Sequence, residues 1–153
     1  MEQSVVLVKP DGVQRGLIGE VISRFEKKGL KLVGIKMVTL EDTLLDEWYA
    51  HHKDKPFFPS LKSYMKSYPV VAMLWEGHEV IVTIRKMVGI TLSREAEPGT
   101  IRGDYSMSQQ YNIIHASEDL TAAQKEKGLI FKENEVFEWE KKDLEHVYLP
   151  NEN

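Results

Sequence analysis

Two periodicities alternate along this chain, and their order restricts the fold more than any single residue does. Residues 4–9 are β-branched and apolar, and Pro10-Asp11-Gly12 stops them, which reads as a strand and a turn. Leu17, Ile18, Val21, Ile22 and Phe25 then recur at the 3.6-residue spacing of a helix, closed by Gly29 as its C′ residue. Residues 31–40 alternate as a second strand. Residues 41–54 are charged, with Leu44, Leu45, Trp48 and Tyr49 at helical spacing, and Pro56 and Pro59 break that helix across residues 55–59. The pattern predicts a short helix over 60–66 and a buried strand over 70–75, opened by Pro69. Val80, Ile81, Ile84, Met87 and Val88 mark another amphipathic helix. Residues 89–107 have little periodicity and contain Pro98, Gly99 and Gly103, so a long loop is expected there, and such loops are often functional. A fourth strand over 112–116 and a last helix over 120–131, N-capped by Asp119, complete the order. The tail from residue 132 carries no strong pattern.

The order is β-α-β-αα-β-α-loop-β-α. Without the extra helices it is β-α-β-β-α-β, so the expected class is α+β: a ferredoxin-like sandwich with a four-stranded antiparallel sheet and extra helices. A length of 153 residues, 42% of them hydrophobic, suits one domain over 1–153, and no linker or repeat divides it. Cysteine is absent, which excludes thiol catalysis and Cys-ligated zinc or iron–sulfur sites. A net charge of −4 argues against a general nucleic-acid role. No apolar run is long enough to span a membrane, and the first residues show no secretory pattern, so a cytoplasmic location is expected.

Phosphate-loop, dinucleotide and nucleophile-elbow signatures are missing. His51 and His52 are adjacent, about 100° apart around a helix, and read as surface residues rather than metal ligands. The most informative segment is residues 112–119, which sets His115 at the end of an apolar strand. On its own that is as compatible with a hydrogen-bonded core histidine. The next helix places Glu126 on the same face as Ala122, Ala123, Leu129 and Ile130, and a carboxylate near a core needs a partner. A carboxylate on one imidazole nitrogen fixes the tautomer and leaves the other nitrogen free as a nucleophile.

Three cations sit at element boundaries. Arg85 lies at the edge of an apolar stripe, where it would also serve as a snorkelling flank residue. Arg102 lies among glycines, where Asp104 would also pair it, and Lys9 ends the first strand, where water would also hold it. Together they point to an anion, since arginine forks suit phosphate oxygens and lysine supplies a point charge. Of the two rings between prolines, Phe58 reads as core and Phe57 as a platform for a base.

At this point the chain closely resembles the nucleoside diphosphate kinase family. The matching stretches are Val8-Lys9-Pro10-Asp11-Gly12-Val13, Pro56-Phe57-Phe58, Met73-Leu74-Trp75-Glu76-Gly77, Pro98-Gly99-Thr100-Ile101-Arg102-Gly103-Asp104 and Asn112-Ile113-Ile114-His115-Ala116-Ser117, in family order and spacing. The resemblance implies reversible transfer of a γ-phosphoryl group from a nucleoside triphosphate to a nucleoside diphosphate, ping-pong through a phosphohistidine. By position, His115 is the nucleophile, Glu126 orients it, and Ser117 supports that pair. Arg85, Thr91, Arg102 and Tyr49 match residues around the phosphates. Lys9 and Asn112 match those on sugar hydroxyls, with Lys9 also near the transferred group, and Phe57 and Leu61 match the base-packing positions. Mg²⁺ would be held mainly by the nucleotide phosphates, with no protein metal site. A homo-oligomer, most simply a hexamer, is expected from the family.

The chain departs from the family pattern at Leu92-Ser93 after Thr91, at Tyr68, at Gln109-Gln110-Tyr111 and at Glu118. Those departures frame the alternative, a catalytically weak nucleotide-binding regulatory protein of the same fold. A ferredoxin-like nucleic-acid module is the third reading, and it needs strand aromatics that are sparse here.

Overall fold

A computed structural model describes residues 1–152. The strands are β1 (Glu2–Val8), β2 (Lys31–Val38), β3 (Val70–Gly77) and β4 (Ile114–Ala116). They form one antiparallel sheet in the order β2-β3-β1-β4. The helices are α1 (Pro10–Gln14), α2 (Ile18–Lys27), α3 (Asp42–Trp48), α4 (Phe58–Lys66), α5 (Val80–Val88), α6 (Ile101–Tyr105) and α7 (Leu120–Ile130). This is the α+β, ferredoxin-like arrangement expected from the order of periodicities.

Period-two side chains divide the core between the two faces of the sheet. Val6 and Val8 of β1 join Val71, Met73 and Trp75 of β3 in a cluster covered by Val21 and Phe25 of α2 and by Ile81 and Ile84 of α5. Phe25 and Trp75 meet edge to face there, with centroids 5.3 Å apart. Val5 and Leu7 join Ala72 and Leu74 on the opposite face, under Leu45 and Trp48 of α3, Met65 of α4 and Ile130 of α7. His115 pairs in register with Leu7, so it projects toward this second face, where α7 lies.

Four local differences from the sequence reading have physical causes. Residues 10–14 form a short helix rather than a turn, with Pro10 at its first position, where a missing N–H loses no bond. Residues 101–105 form a helix within the expected long loop, and Thr100 caps it by accepting from Gly103 N at 3.0 Å. α4 starts at Phe58 instead of residue 60, because Pro59 fits the first turn. β4 is only three residues long, because Ile113 leaves the ladder with φ +73°. Gly29 has φ +98° just past α2, as its helix-ending role requires. The tail is tied to the outer edge of β2, where Phe137 N donates to Val33 O at 2.8 Å and Trp139 Nε1 to Leu32 O at 2.9 Å.

Candidate active site

The site is built where β1 ends beside the start of β4. Lys9 N donates to Ile113 O at 2.7 Å, and Ile114 N donates to Asn112 O at 2.8 Å, closing a γ-turn around Ile113. A β-branched residue at φ +73° is strained, by about 1–3 kcal/mol. Asp11 holds it there: one carboxylate oxygen accepts from Ile113 N at 3.0 Å, and the other accepts from the Tyr64 hydroxyl. The turn aims Asn112 at the end of β1, where its Oδ1 accepts from Lys9 Nζ at 2.8 Å. Asn112 Nδ2 donates to Gln109 O at 2.8 Å and to Thr91 O at 3.3 Å.

His115 follows three residues after Asn112. Its Nε2 lies 2.9 Å from Glu126 Oε1, and Glu126 is 6% exposed on the inner face of α7. Ser117, fully buried, donates to Glu126 Oε2 at 2.6 Å and accepts from Val5 N at 3.0 Å, which anchors the pair to β1. An acceptor at Nε2 places the imidazole proton there, and Nδ1 makes no hydrogen bond among the described residues. The start of α7 is fixed by Asp119, which accepts from Ala122 N at 2.8 Å.

A cavity of about 860 Å³ opens over this histidine. Every residue carried over from the family pattern lines it except Ser117, which sits behind Glu126. Arg102 is buried and donates to three backbone carbonyls: Ile114 O at 2.6 Å, Gly89 O at 2.9 Å and Asn112 O at 3.3 Å. Asp104 pairs instead with Arg24 of α2, at 2.7 Å, so the expected Arg102–Asp104 alternative is not realised. Lys9 is buried rather than solvated, and donates to Gln110 O and Asn112 Oδ1. Arg85 is exposed at the last turn of α5. None of these three cations has a carboxylate within ion-pair distance among the described residues.

The consequence is electrostatic. Burial first, then the neighbouring Arg102, pulls the Lys9 ammonium down to about 8, against a weaker upward pull from Asp11. Burial first, then Arg85, brings Arg102 down to about 10. Burial, reinforced by Glu126, raises the Tyr49 phenol, so that its hydroxyl remains a neutral donor. Lys9 and Arg102 therefore bring desolvated positive charge to the cavity without a direct ion pair, and the carboxylates that line it are Glu118, Asp119 and Glu126.

Aromatic residues line the other end. Phe57 is 46% exposed and Phe58 is buried, as their setting suggests. His51 is exposed and His52 half-buried; both line the cavity mouth, with His52 stacked on Tyr49 and edge-on to Phe57. Gln109 and Gln110 face the main cavity. Tyr111 turns away onto Tyr64 and, with Tyr68, lines a separate cavity of about 570 Å³. Tyr68 stands outside the left-handed region, so its backbone does not require the glycine usual there. The sequence reading missed Trp48, which meets His115 edge to face, and Asp11, which holds the γ-turn. Trp48 was visible only as a core position of α3, and Asp11 only as a turn residue.

An imidazole with a carboxylate on one nitrogen, in a cavity whose cations have no direct ion pair, fits a class of site that receives phosphate groups and can carry one. The particular member of that class follows from comparison with known proteins. A model of the nucleoside diphosphate kinase family matches residues 2–136. A nucleoside diphosphate kinase of Parabacteroides distasonis is 51% identical over 152 residues, 99% of each chain. Another, from Archaeoglobus fulgidus, is 48% identical and covers 97% of this chain and 98% of its own. A solved halophilic nucleoside diphosphate kinase from Halobacterium salinarum, in complex with CDP, superposes with a TM-score of 0.94 at 46% identity, covering 96% of this chain and 98% of that one. This chain belongs to the nucleoside diphosphate kinase family, and nucleotide phosphoryl transfer is its activity. The weak regulatory alternative is not favoured by relatives this similar. No helix among the described residues is long and apolar enough to cross a membrane.

Proposed function

We propose that His115 carries the phosphoryl group in a ping-pong exchange between nucleoside tri- and diphosphates. The observation that carries this reading is the His115–Glu126 contact at 2.9 Å, which engages Nε2 and leaves Nδ1 without a hydrogen bond beside a cavity lined by three cations that no carboxylate pairs directly. The Nδ1 lone pair attacks the γ-phosphorus in line. The bond from phosphorus to the bridging oxygen breaks, its electron pair leaves on the nucleoside diphosphate, and an N–P bond forms. The Nε2 proton stays in place against Glu126, whose charge stabilises the cationic ring. A terminal phosphate oxygen of an acceptor diphosphate then reverses the step.

Catalysis here is positioning plus charge neutralisation. Arg85 and Arg102 take equatorial oxygens, with Tyr49 and Thr91 as hydroxyl donors. Lys9 serves the transferred group and, with Asn112, the sugar hydroxyls, while Ser117 holds Glu126. Phe57 and Leu61 pack the base, which stacking alone leaves largely undiscriminated. Mg²⁺ enters with the nucleotide as part of the substrate, held by its phosphates; among the described residues no three acidic or histidine side chains gather to cage an ion. The same reading takes the chain as one cytoplasmic domain that assembles into a homo-oligomer, a hexamer by family expectation. Exposed Ile35 and Met37 on the edge strand β2 support a face for a second copy, which sedimentation at micromolar concentration checks.

The test is incubation with Mg²⁺ and γ-labelled ATP without acceptor, followed by a GDP chase, with His115→Ala alongside. Acid-labile, base-stable label on the unaltered protein only, which moves to GDP, is the expected result. Label that persists on His115→Ala removes the assignment.

A further inference from the structure

Glu126 fixes the His115 ring at one atom only. A single hydrogen bond at Nε2 leaves the imidazole able to rock about Cβ–Cγ, a torsion with broad wells. The lone pair on Nδ1 must lie along the line of attack, so this freedom bears directly on rate. The structure closes it from a second direction. Trp48, the last residue of α3, meets His115 edge to face, with ring centroids 5.2 Å apart and planes at 81°. That is a favoured aromatic geometry.

The wall itself is fixed. Trp48 is 5% exposed, belongs to the buried cluster that includes Leu45 and Met65, and stacks on Tyr49 at 6.3 Å. Lys125 Nζ of α7 donates to Glu47 O at 2.8 Å, which ties the end of α3 to the helix that carries Glu126. The two supports of the imidazole are therefore joined to each other.

We propose that Trp48 is a positioning residue for phosphoryl transfer: its indole sets the plane of the His115 imidazole, and so the aim of Nδ1, while Glu126 sets the tautomer. The inference rests on the phosphohistidine reading above. It separates aim from affinity, because Trp48 acts through His115.

Two variants test it. Trp48→Met fills much of the volume without a flat ring, and Trp48→Phe restores a flat ring. Single-turnover labelling of His115 by γ-labelled ATP is measured by rapid quench, ADP affinity by calorimetry, and melting temperature beside both. The methionine variant is expected to label about 10- to 100-fold more slowly, with ADP affinity unchanged. The phenylalanine variant is expected to recover most of the rate even where its melting temperature stays low. Tryptophan fluorescence is expected to change on phosphorylation in the unaltered protein and not in Trp48→Phe, since Trp75 and Trp139 lie elsewhere in the fold. A methionine variant that labels at the unaltered rate overturns the proposal. So does a fluorescence change that persists in Trp48→Phe, or a rate that falls in step with ADP affinity and is not recovered by phenylalanine. If the unaltered protein takes no label, the phosphohistidine reading fails, and this inference fails with it.

Discussion

Lys9 offers the sharpest quantitative test, because its burial makes stability depend on pH in an unusual direction. Its ordinary value of 10.5 falls to about 8 in the fold, a difference of about 2.5 units and so about 3 kcal/mol. Lys9 is 7% exposed, so solvent screening takes little from that figure. The sign follows from proton counts. Between pH 8 and 10.5 the unfolded chain holds the Lys9 proton and the folded chain has released it, so stability rises with pH across that window. Below pH 8 both states are charged and the desolvation penalty is fully present; above 10.5 both are neutral and it is gone. Other groups, tyrosines and lysines among them, ordinarily titrate in the same range, so the useful quantity is a difference. Urea denaturation of the unaltered protein and of Lys9→Met, both without nucleotide, gives that difference at each pH. Lys9→Met loses the bonds to Gln110 O and Asn112 Oδ1, about 1–3 kcal/mol for acceptors left unpaired, at every pH. It also loses the desolvation penalty, which matters only at lower pH. The two proteins are therefore expected to be nearly matched at pH 7, with the unaltered one gaining about 3 kcal/mol on the variant by pH 10.5. Saturating ADP should flatten the trend, because phosphate beside Lys9 restores its proton. A difference that stays constant from pH 7 to 10.5 refutes the argument that Lys9 is a desolvated cation.

Three further perturbations separate the parts of the site. Gly12→Ala puts a methyl 2.8 Å from both Ile113 O and Val8 Cγ1, so a loss of about 1–3 kcal/mol in urea midpoints and a lower kcat are expected; an unchanged midpoint overturns this. Phe57→Ala should raise nucleotide KM roughly 10-fold from the loss of about 1–3 kcal/mol of stacking, alike for ATP and GTP, with stability nearly unchanged. Equal KM in variant and parent argues against Phe57 as the base platform. Phe25→Ala, on the opposite face of the sheet and edge-on to Trp75, should lose about 3–5 kcal/mol in thermal or urea melts. Its kcat per folded molecule should hold at low temperature, and a large drop there would mean that the two faces are coupled.

How much of this was legible in the sequence depended on length scale. Strands β1 and β3 and helices α2, α5 and α7 run long enough for their periods to show, and each lies close to its expected place. Helices α1 and α6 have five residues each, too few to display a period, so only a proline and a threonine cap hinted at them. The His115–Glu126 pair was legible because the strand leads straight into the helix, eleven residues apart. The support beneath it was not. Asp11 reaches Ile113 across 102 residues, and nothing about isoleucine announces a positive φ. Trp48 was placed in the core by its spacing, and it is buried; that the same ring forms a wall of the cavity is a fact of packing, which a one-dimensional pattern does not contain.

The parts hidden from sequence are also those that oppose folding. A strained Ile113, a Lys9 drawn down to about 8 and an Arg102 bonded only to carbonyls each raise the energy of the nucleotide-free protein. On the proposed reading each is also a preformed element of a phosphate site, since a phosphate arriving there meets charges that need no further desolvation and donors already aimed. The fold spends core stability from both faces of its sheet to hold that arrangement open. Nucleotide binding should therefore stabilise the chain by more than contact area suggests, and most strongly below pH 8, where Lys9 is charged in both states and its penalty is greatest. Stability and catalysis are linked here through the same few cations, and loss of Lys9 should leave the empty protein little changed at pH 7 and the loaded one weaker.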